Sequence, residues 1–114
     1  SVKPIYVRLN TSEISASVNI DIQCNDAEIQ NLYYEQFKEL KIAFENILGN
    51  DWNWNLKAEN EYFVKCSRIS KTITNVSIYD KNTWPTVFSF FEKNFLSFDL
   101  FWKEFNEIFK DLGN

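Results

Sequence analysis

Two polar side chains interrupt apolar patterns and are the residues of this chain best placed to do chemistry. Gln36 lies near the centre of the apolar stripe of a predicted helix, and Arg68 shares strand parity with Val64 and Cys66. A buried guanidinium is costly unless it is paired, and a glutamine amide can accept a hydrogen bond from it. Two interpretations stay open. One is a structural polar network, or a β-bulge that turns Arg68 outward; the other is an anion-binding or peptide-binding pocket edged by Trp54.

The remaining composition argues against the common catalytic and cofactor sites. The chain has no His, which removes the commonest general base and metal ligand, and two isolated Cys residues cannot form a usual zinc site. Two glycines are too few for a Walker loop or a dinucleotide fingerprint. We therefore predict no catalytic residue, no metal site and no cofactor, and we favour a non-enzymatic role while leaving activity open.

Charge and cysteine content bear on the partners and the compartment. The formal net charge is −4 at pH 7, so there is no basic surplus to neutralise phosphates or anionic lipid. Nucleic acid is an unfavoured partner, and the identity of any small-molecule ligand stays unknown. No apolar run reaches the roughly 18 to 20 residues of a membrane span, and residues 1–10 lack the layout of a targeting signal. We expect a soluble cytoplasmic protein in which Cys24 and Cys66 are free buried thiols.

Two leucines interrupt the polar side of the last predicted helix. Leu96 and Leu100 lie four residues apart among Glu, Lys and Ser on the polar side of that helix. They are either ordinary surface residues, or residues buried by a local bend, or a contact for a protein partner or a second copy of the chain. A continuous helix favours the contact.

Two alternating segments and one helical segment make up the first half of the chain. Apolar and polar residues alternate over 5–9 and 13–23, which is typical of strands with one dry face. The polar link between them is short enough for a hairpin. Asn25 stands three residues before Glu28, as in a capping box, and Gly49 is a typical helix stop. We predict one helix from near Asp26 to Leu48.

The second half predicts further strands and a long helix. Residues 52–58, 62–69 and 72–79 are rich in aromatic and β-branched side chains and predict two or three strands. From Trp84 to about Leu112 the apolar residues form a stripe about 160° wide. An unbroken helix of that span is about 42 Å long, whereas a compact chain of this size measures about 35 Å across. The helix should therefore bend, near residues 97–99, or overhang, or meet a partner.

The order of these elements predicts the fold class. The order is strand, strand, helix, two or three strands, helix, without a βαβ rhythm. That order favours an α+β fold with an antiparallel sheet of four to five strands and two helices packed on one face. A length of 114 residues with 45% hydrophobic content suits a single domain.

Short motifs along nearly the whole chain carry a family resemblance. They are IYVRLN, EISASVNIDIQ, IQNLYYEQFKEL, DWNWNL, the Arg68-Ile69 pair, NVSIYD, TWP and FDLFWKEF. The chain resembles an uncharacterised bacterial family of unknown function. Its members are similar to stand-alone small proteins of the Bacteroidetes and to accessory domains attached to restriction-endonuclease-like proteins.

The resemblance gives weight to Gln36, Trp54, Arg68, Trp84 and Pro85 as pattern positions. Members usually begin with an extra helix and strand, so the single domain spanning 1–114 either lacks these elements or has one strand fewer. The fused nucleases need a strand-borne Glu-x-Lys, and the one such triplet here, residues 39–41, lies in the predicted helix. Cleavage activity is therefore not implied.

These observations lead to two functional predictions. The first is a non-catalytic accessory or protein-interaction domain, connected with bacterial DNA processing or defence. The alternative is a small-ligand-binding protein or small enzyme with a polar pocket around Gln36 and Arg68.

Overall fold

An antiparallel sheet with helices on one side is the framework of the chain in the computed structural model, which describes residues 3–112. The four strands, in spatial order β1-β2-β4-β3, are β1 (Ile5–Thr11), β2 (Ser15–Ile22), β3 (Asn53–Glu59) and β4 (Lys65–Thr74). The helices are α1 (Ala27–Glu39), α2 (Lys41–Leu48) and α3 (Trp84–Leu112), and a short 3₁₀ turn over Lys81–Thr83 precedes α3. The α+β fold, the antiparallel sheet and the order of the elements are confirmed.

The two faces of the sheet differ in composition because side chains alternate along each strand. On the helix-covered face, Val18 and Ile20 of β2 are fully buried, and Ile69 of β4 stands opposite Ile20. The other face, called the helix-free face below, carries polar side chains from all four strands. These are Tyr6, Arg8, Asn10, Ser15, Ser17, Asn19, Asp21, Asn53, Asn55, Arg68, Ser70, Thr72 and Thr74.

The first helical segment is divided in two, which differs from the expected single helix. Leu40 has φ −95° and ψ 13°, and its N–H donates to the carbonyls of both Gln36 and Phe37. This bifurcated bond ends α1, and α2 begins at Lys41. Asp26 caps the start of α1 by accepting from the N–H groups of Glu28 and Ile29.

Aromatic side chains join α3 to the other helices. Phe101 is fully buried, and its ring centroid lies 6.1 Å from that of Phe37 in α1 and 5.3 Å from that of Phe44 in α2. Phe109 lies 4.4 Å from Phe37. Stacked and edge-on aromatic pairs of this kind add to the free energy gained by burying their area. The C-terminal half of α3 is therefore anchored on α1 and α2.

Helix α3 runs without interruption through Ser97, Phe98 and Asp99, so the bend that was one of the three alternatives for this helix does not occur there. Its 29 residues span about 43 Å at ~1.5 Å per residue. That length agrees with the longest dimension of the molecule, 46 Å, against 31 and 22 Å in the other directions. The helix begins at Trp84, and Pro85 lies in its first turn, where a missing N–H costs nothing.

Only two strands form between α2 and α3. The third candidate, residues 72–79, divides: Thr72 to Thr74 extend β4, and Asn75, with φ 61°, turns the chain out of the sheet. Residues 62–64 belong to the turn before β4, and Phe63 in that turn has φ 62°. Among residues 3–112, no helix combines the length and hydropathy that crossing a membrane requires.

Candidate functional site

Arg68 forms an ion pair with Asp21 on the helix-free face. The two residues are direct partners on β4 and β2. The Nε of Arg68 donates to Oδ1 of Asp21 at 2.6 Å, and its Nη2 donates to Oδ2 at 3.0 Å. This is the two-pronged geometry that arginine forms with a carboxylate. The hydrogen bonds to Asp21 raise the pKa of Arg68 and so keep the guanidinium charged.

Arg8 brings a second guanidinium to the same carboxylate. Its Nη1 donates to Oδ2 of Asp21 at 2.7 Å, and its Nη2 donates to Oε1 of Gln23 at 3.2 Å. The side chain of Asn60 donates to the same Gln23 oxygen. The guanidinium carbon of Arg8 lies 4.7 Å from the centre of the Tyr6 ring, within cation–π distance. The cluster therefore links β1, β2, β4 and the turn before β4.

Burial differs among the three charged groups of this arginine cluster, which we define as Arg8, Asp21 and Arg68. The Asp21 side chain is fully buried, whereas those of Arg8 and Arg68 are 31% and 21% exposed. Cys66 is buried beside the cluster, and desolvation, with the charge of Asp21, raises the pKa of its thiol. Cys24 and Cys66 are both free, and Cys24 is only half-buried.

The structure does not bring Gln36 and Arg68 together. Gln36 is half-buried at the edge of α1, where its amide donates to Glu39 at 3.5 Å, while α1 covers the face of the sheet opposite to Arg68. The buried side of α1 holds Tyr33, Tyr34 and Phe37 rather than Leu32. The apolar stripe is thus rotated away from Gln36, and the polar network expected between these two residues does not form.

Trp54 also lies on the helix-covered face, opposite Ile69. Its ring meets those of Tyr34 and Phe44 edge-on, at centroid distances of 6.3 and 5.2 Å, and the Lys41 ammonium lies 5.2 Å from its centre. Trp54 therefore packs beneath the helices, on the side of the sheet away from Arg68.

Leu96 and Leu100 lie on the solvent side of α3. They are 56% and 62% exposed, and the charged residues Lys93, Lys103 and Glu104 on the same side are exposed as well. The spacing of four residues places the two leucines one above the other on the helix surface. The pair forms an apolar ridge on a polar helix face.

A second apolar surface lies near the start of α3 and includes residues of the apolar stripe predicted for the last helix. A groove of about 220 Å³ is lined by Thr11, Ser15, Ile78, Trp84, Val87, Phe88 and Phe91. Phe88 is 61% exposed, and Ile78, Trp84 and Phe95 are also exposed. The width of the predicted stripe could have indicated this surface. A helix that packs on a sheet buries about 100° of its circumference, so the rest of a wider apolar stripe must face elsewhere.

Comparison with known protein families decides the assignment of the chain. Residues 1–106 match the model of a family described as Domain of unknown function (DUF4268). The chain belongs to this family. No curated protein and no solved structure matches the chain.

The matched range of this DUF4268 domain includes every residue of the arginine cluster, the leucine ridge and the apolar groove. Trp84 and Pro85 begin α3, and the indole Nε1 of Trp84 donates to the carbonyl of Ile78 at 3.0 Å. That bond holds the loop after β4 against the helix start. The described part of the DUF4268 domain contains no group of three or more His, Cys, Asp or Glu side chains placed to hold a metal ion.

Proposed function

We propose that this DUF4268 domain is a non-catalytic protein-interaction domain that binds a partner protein through α3. The observation that carries the proposal is the ridge of Leu96 and Leu100, each more than half exposed on an uninterrupted helix. Exposed apolar groups in defined positions are common at protein interfaces, where their burial supplies binding free energy.

The surroundings of the ridge favour a protein over other partners. Exposed residues of both charge signs, among them Lys93, Lys103 and Glu104, flank the two leucines. A polar rim around an apolar centre is the usual anatomy of a protein interface. The mixed signs and the formal net charge of −4 oppose binding to anionic lipid or nucleic acid.

The ridge alone is smaller than a stable interface, because two leucine side chains expose far less than the ~800 Å² per partner of a standard complex. We therefore infer that the ridge serves as an anchor in a larger contact along α3. Two apolar side chains spaced by one helical turn are suited to anchor a helix in an apolar groove of a partner protein.

The experiment is a matched pair of double variants. Leu96→Glu with Leu100→Glu places two carboxylates in the ridge, and Asn31→Glu with Asn46→Glu adds the same charge at exposed polar positions of α1 and α2. Sedimentation equilibrium measures self-association, and affinity capture with identification by mass spectrometry measures partner binding. We expect the leucine variant to lose association and the control to keep it, with melting temperatures unchanged in both.

If both variants associate as wild type does, the ridge is not an interface and the proposal is wrong. Loss of a dimer in sedimentation identifies a second copy as the partner. Loss of captured protein without a change in sedimentation identifies a different chain.

We further propose that the partner belongs to a bacterial DNA-processing or defence system and that the domain acts as its accessory unit in the cytoplasm. The support is the resemblance to domains attached to restriction-endonuclease-like proteins. Co-purification with a nuclease subunit tests this assignment. Capture of partners from unrelated processes contradicts it.

The alternative function, a small-ligand-binding protein or small enzyme around Gln36 and Arg68, has weaker support. Gln36 belongs to α1, which covers the face of the sheet opposite to Arg68, so the two residues lie on different sides of the sheet. A thermal-shift screen of polar metabolites tests the alternative: a hit that is abolished by both Gln36→Ala and Arg68→Ala supports it.

A further inference from the structure

We infer that the arginine cluster on the helix-free face is a binding site for a single oxyanion, either a carboxylate or a phosphate group, and that Arg8 and Arg68 bind it. This inference concerns the face of the sheet opposite to α3 and is independent of the proposed protein contact.

Two guanidiniums share one carboxylate. Among the paired positions on either side of the register shift in β3, strand alternation places three charged side chains on this face: Arg8, Arg68 and Asp21. The other side chains at those positions are neutral: amides, hydroxyls, Tyr6, Ala58 and Cys66. Within residues 3–112, Asp21 is the carboxylate paired with both guanidiniums, so the cluster itself has a formal charge of +1, although the chain as a whole has a formal net charge of −4.

The guanidiniums also have donors to spare. Each carries five N–H donors. Arg68 uses Nε and Nη2 on Asp21, and Arg8 uses one donor of Nη1 on Asp21 and one of Nη2 on Gln23. Within residues 3–112, the Nη1 of Arg68 and the Nε of Arg8 have no hydrogen-bond partner. An oxyanion has several acceptor oxygens and can accept from both arginines at once. The planar fork of donors on each guanidinium suits charge-assisted hydrogen bonds to a carboxylate or a phosphate.

The cluster is held in place before any ligand arrives. Asp21 is fully buried and fixes both guanidiniums, Tyr6 lies 4.7 Å from the Arg8 guanidinium, and Gln23 holds Arg8 from the other side. The arginine side chains remain 31% and 21% exposed. Preorganised donors with partial access to solvent lose little conformational entropy on binding.

One arginine is enough to balance the charge of Asp21. One arginine facing Asp21 already forms the bidentate bond that joins β2 to β4. Arg8 adds a tie to β1, but it leaves a positive charge without a counter-ion on a surface that offers small neutral groups such as Asn55 and Ser70. A bound oxyanion neutralises that surplus.

The test measures anion binding by thermal shift and by titration calorimetry at constant ionic strength. Inorganic phosphate and acetate are each compared with sodium chloride. We expect one or both to raise the melting temperature of wild type saturably above the chloride baseline. A response to phosphate alone assigns a phosphoryl ligand, a response to acetate alone assigns a carboxylate, and a response to both assigns the shared chemistry.

Three variants locate the site. Arg8→Gln removes the surplus charge but leaves the bidentate pair, and we expect affinity to fall about tenfold or more. Arg8→Lys keeps the charge without the fork and should bind with intermediate affinity. Lys38→Gln, which removes one exposed positive charge from α1, is the matched control and should bind like wild type.

A wild type that responds to phosphate and acetate no more than to chloride overturns the inference, as does Arg8→Gln binding as tightly as wild type. If Arg8→Gln unfolds, the side-chain Nε resonances of Arg8 and Arg68 in ¹⁵N-labelled wild type take its place. Their movement on titration supports the site, and resonances that stay fixed overturn it.

Discussion

Asp21 and Arg68 stand opposite each other on β2 and β4, and both carboxylate oxygens of Asp21 accept from the Arg68 guanidinium, at 2.6 and 3.0 Å. The carboxylate is fully buried, whereas the guanidinium reaches solvent. This asymmetry makes the consequences of losing either partner unequal.

We predict that removing both arginines costs more stability than removing the carboxylate. Arg8→Ala with Arg68→Ala leaves Asp21 buried without an ionic partner, which costs about 3–5 kcal/mol. Asp21→Asn leaves two guanidiniums that water can reach, so the loss should be smaller. Urea denaturation of both variants at pH 7 gives the two free energies of unfolding. A larger loss in Asp21→Asn contradicts the argument.

A second prediction compares two phenylalanines on α3. Phe101 is fully buried against Phe37 and Phe44, whereas Phe88 is 61% exposed. Truncating a buried phenylalanine removes its transfer free energy and leaves a cavity, at about 3–5 kcal/mol. Phe101→Ala should lose that amount in urea denaturation, and Phe88→Ala, its control on the same helix, should lose less than about 1 kcal/mol. Equal losses would show that Phe88 is buried in solution.

The same two residues show how far the sequence predicts the fold. Alternation over residues 5–9 and 13–23 correctly predicts β1 and β2, because a strand with one covered face must alternate. Helical periodicity correctly predicts α3 from Trp84 to Leu112. Periodicity does not say which part of a wide stripe meets the core, so Phe88 and Phe101 look equivalent in the sequence.

The candidate site was less predictable than the fold. Val64 and Cys66 made the strand face of Arg68 look apolar, but Ser67 and Ile69 lie on the helix-covered face and Arg68 does not. The pairing register of β4 decides on which face Arg68 lies, because a shift of one residue exchanges the two faces of a strand. The partner, Asp21, is 47 residues away in sequence. Because Asp21 and Arg68 belong to strands that pair only in the folded chain, no local spacing in the sequence predicts the ion pair.

Cysteine reactivity gives a third prediction. Burial raises the pKa of the Cys66 thiol, so little of it is thiolate at neutral pH, and Cys24 is only half-buried. A thiol reagent such as dithionitrobenzoate should modify Cys24 first and Cys66 only after denaturant is added. Cys66→Ser, which leaves only Cys24, should keep the fast phase, and Cys24→Ser should lose it. Fast modification of Cys66 in native buffer contradicts the predicted order.

The raised pKa of Cys66 also makes the free energy of unfolding depend on pH. The folded state favours the neutral thiol, so the contribution of Cys66 is fully present below the pKa of the unfolded thiol, near 8.5–9. It is lost as the pH rises through the folded pKa. Wild type should therefore lose more stability than Cys66→Ala between pH 8 and pH 10. Parallel pH profiles would contradict this coupling.

A last prediction concerns the ion pair that joins the loop after α2 to β4. The ammonium of Lys71 lies 2.9 Å from Oδ2 of Asp51, and its hydrogen bond lowers the pKa of that carboxyl below its ordinary value of 3.8. A depressed carboxyl pKa contributes stability above the unfolded pKa and loses it as the pH falls through the folded pKa. Asp51→Asn should thus be less stable than wild type at pH 5–7, and the difference should shrink as the pH falls below 3.8 and through the lowered pKa.

The size of this effect is limited by exposure. The Asp51 side chain is 60% exposed, so solvent screens the pair and the difference at pH 7 should stay below about 1 kcal/mol. High salt should reduce it further, because the pair lies at the surface. Urea denaturation at pH 7 and pH 3 measures the difference, with Glu61→Gln at an exposed turn position as the control. A difference that persists unchanged at pH 3 means that Asp51 stabilises the loop through its backbone contacts and not through its charge.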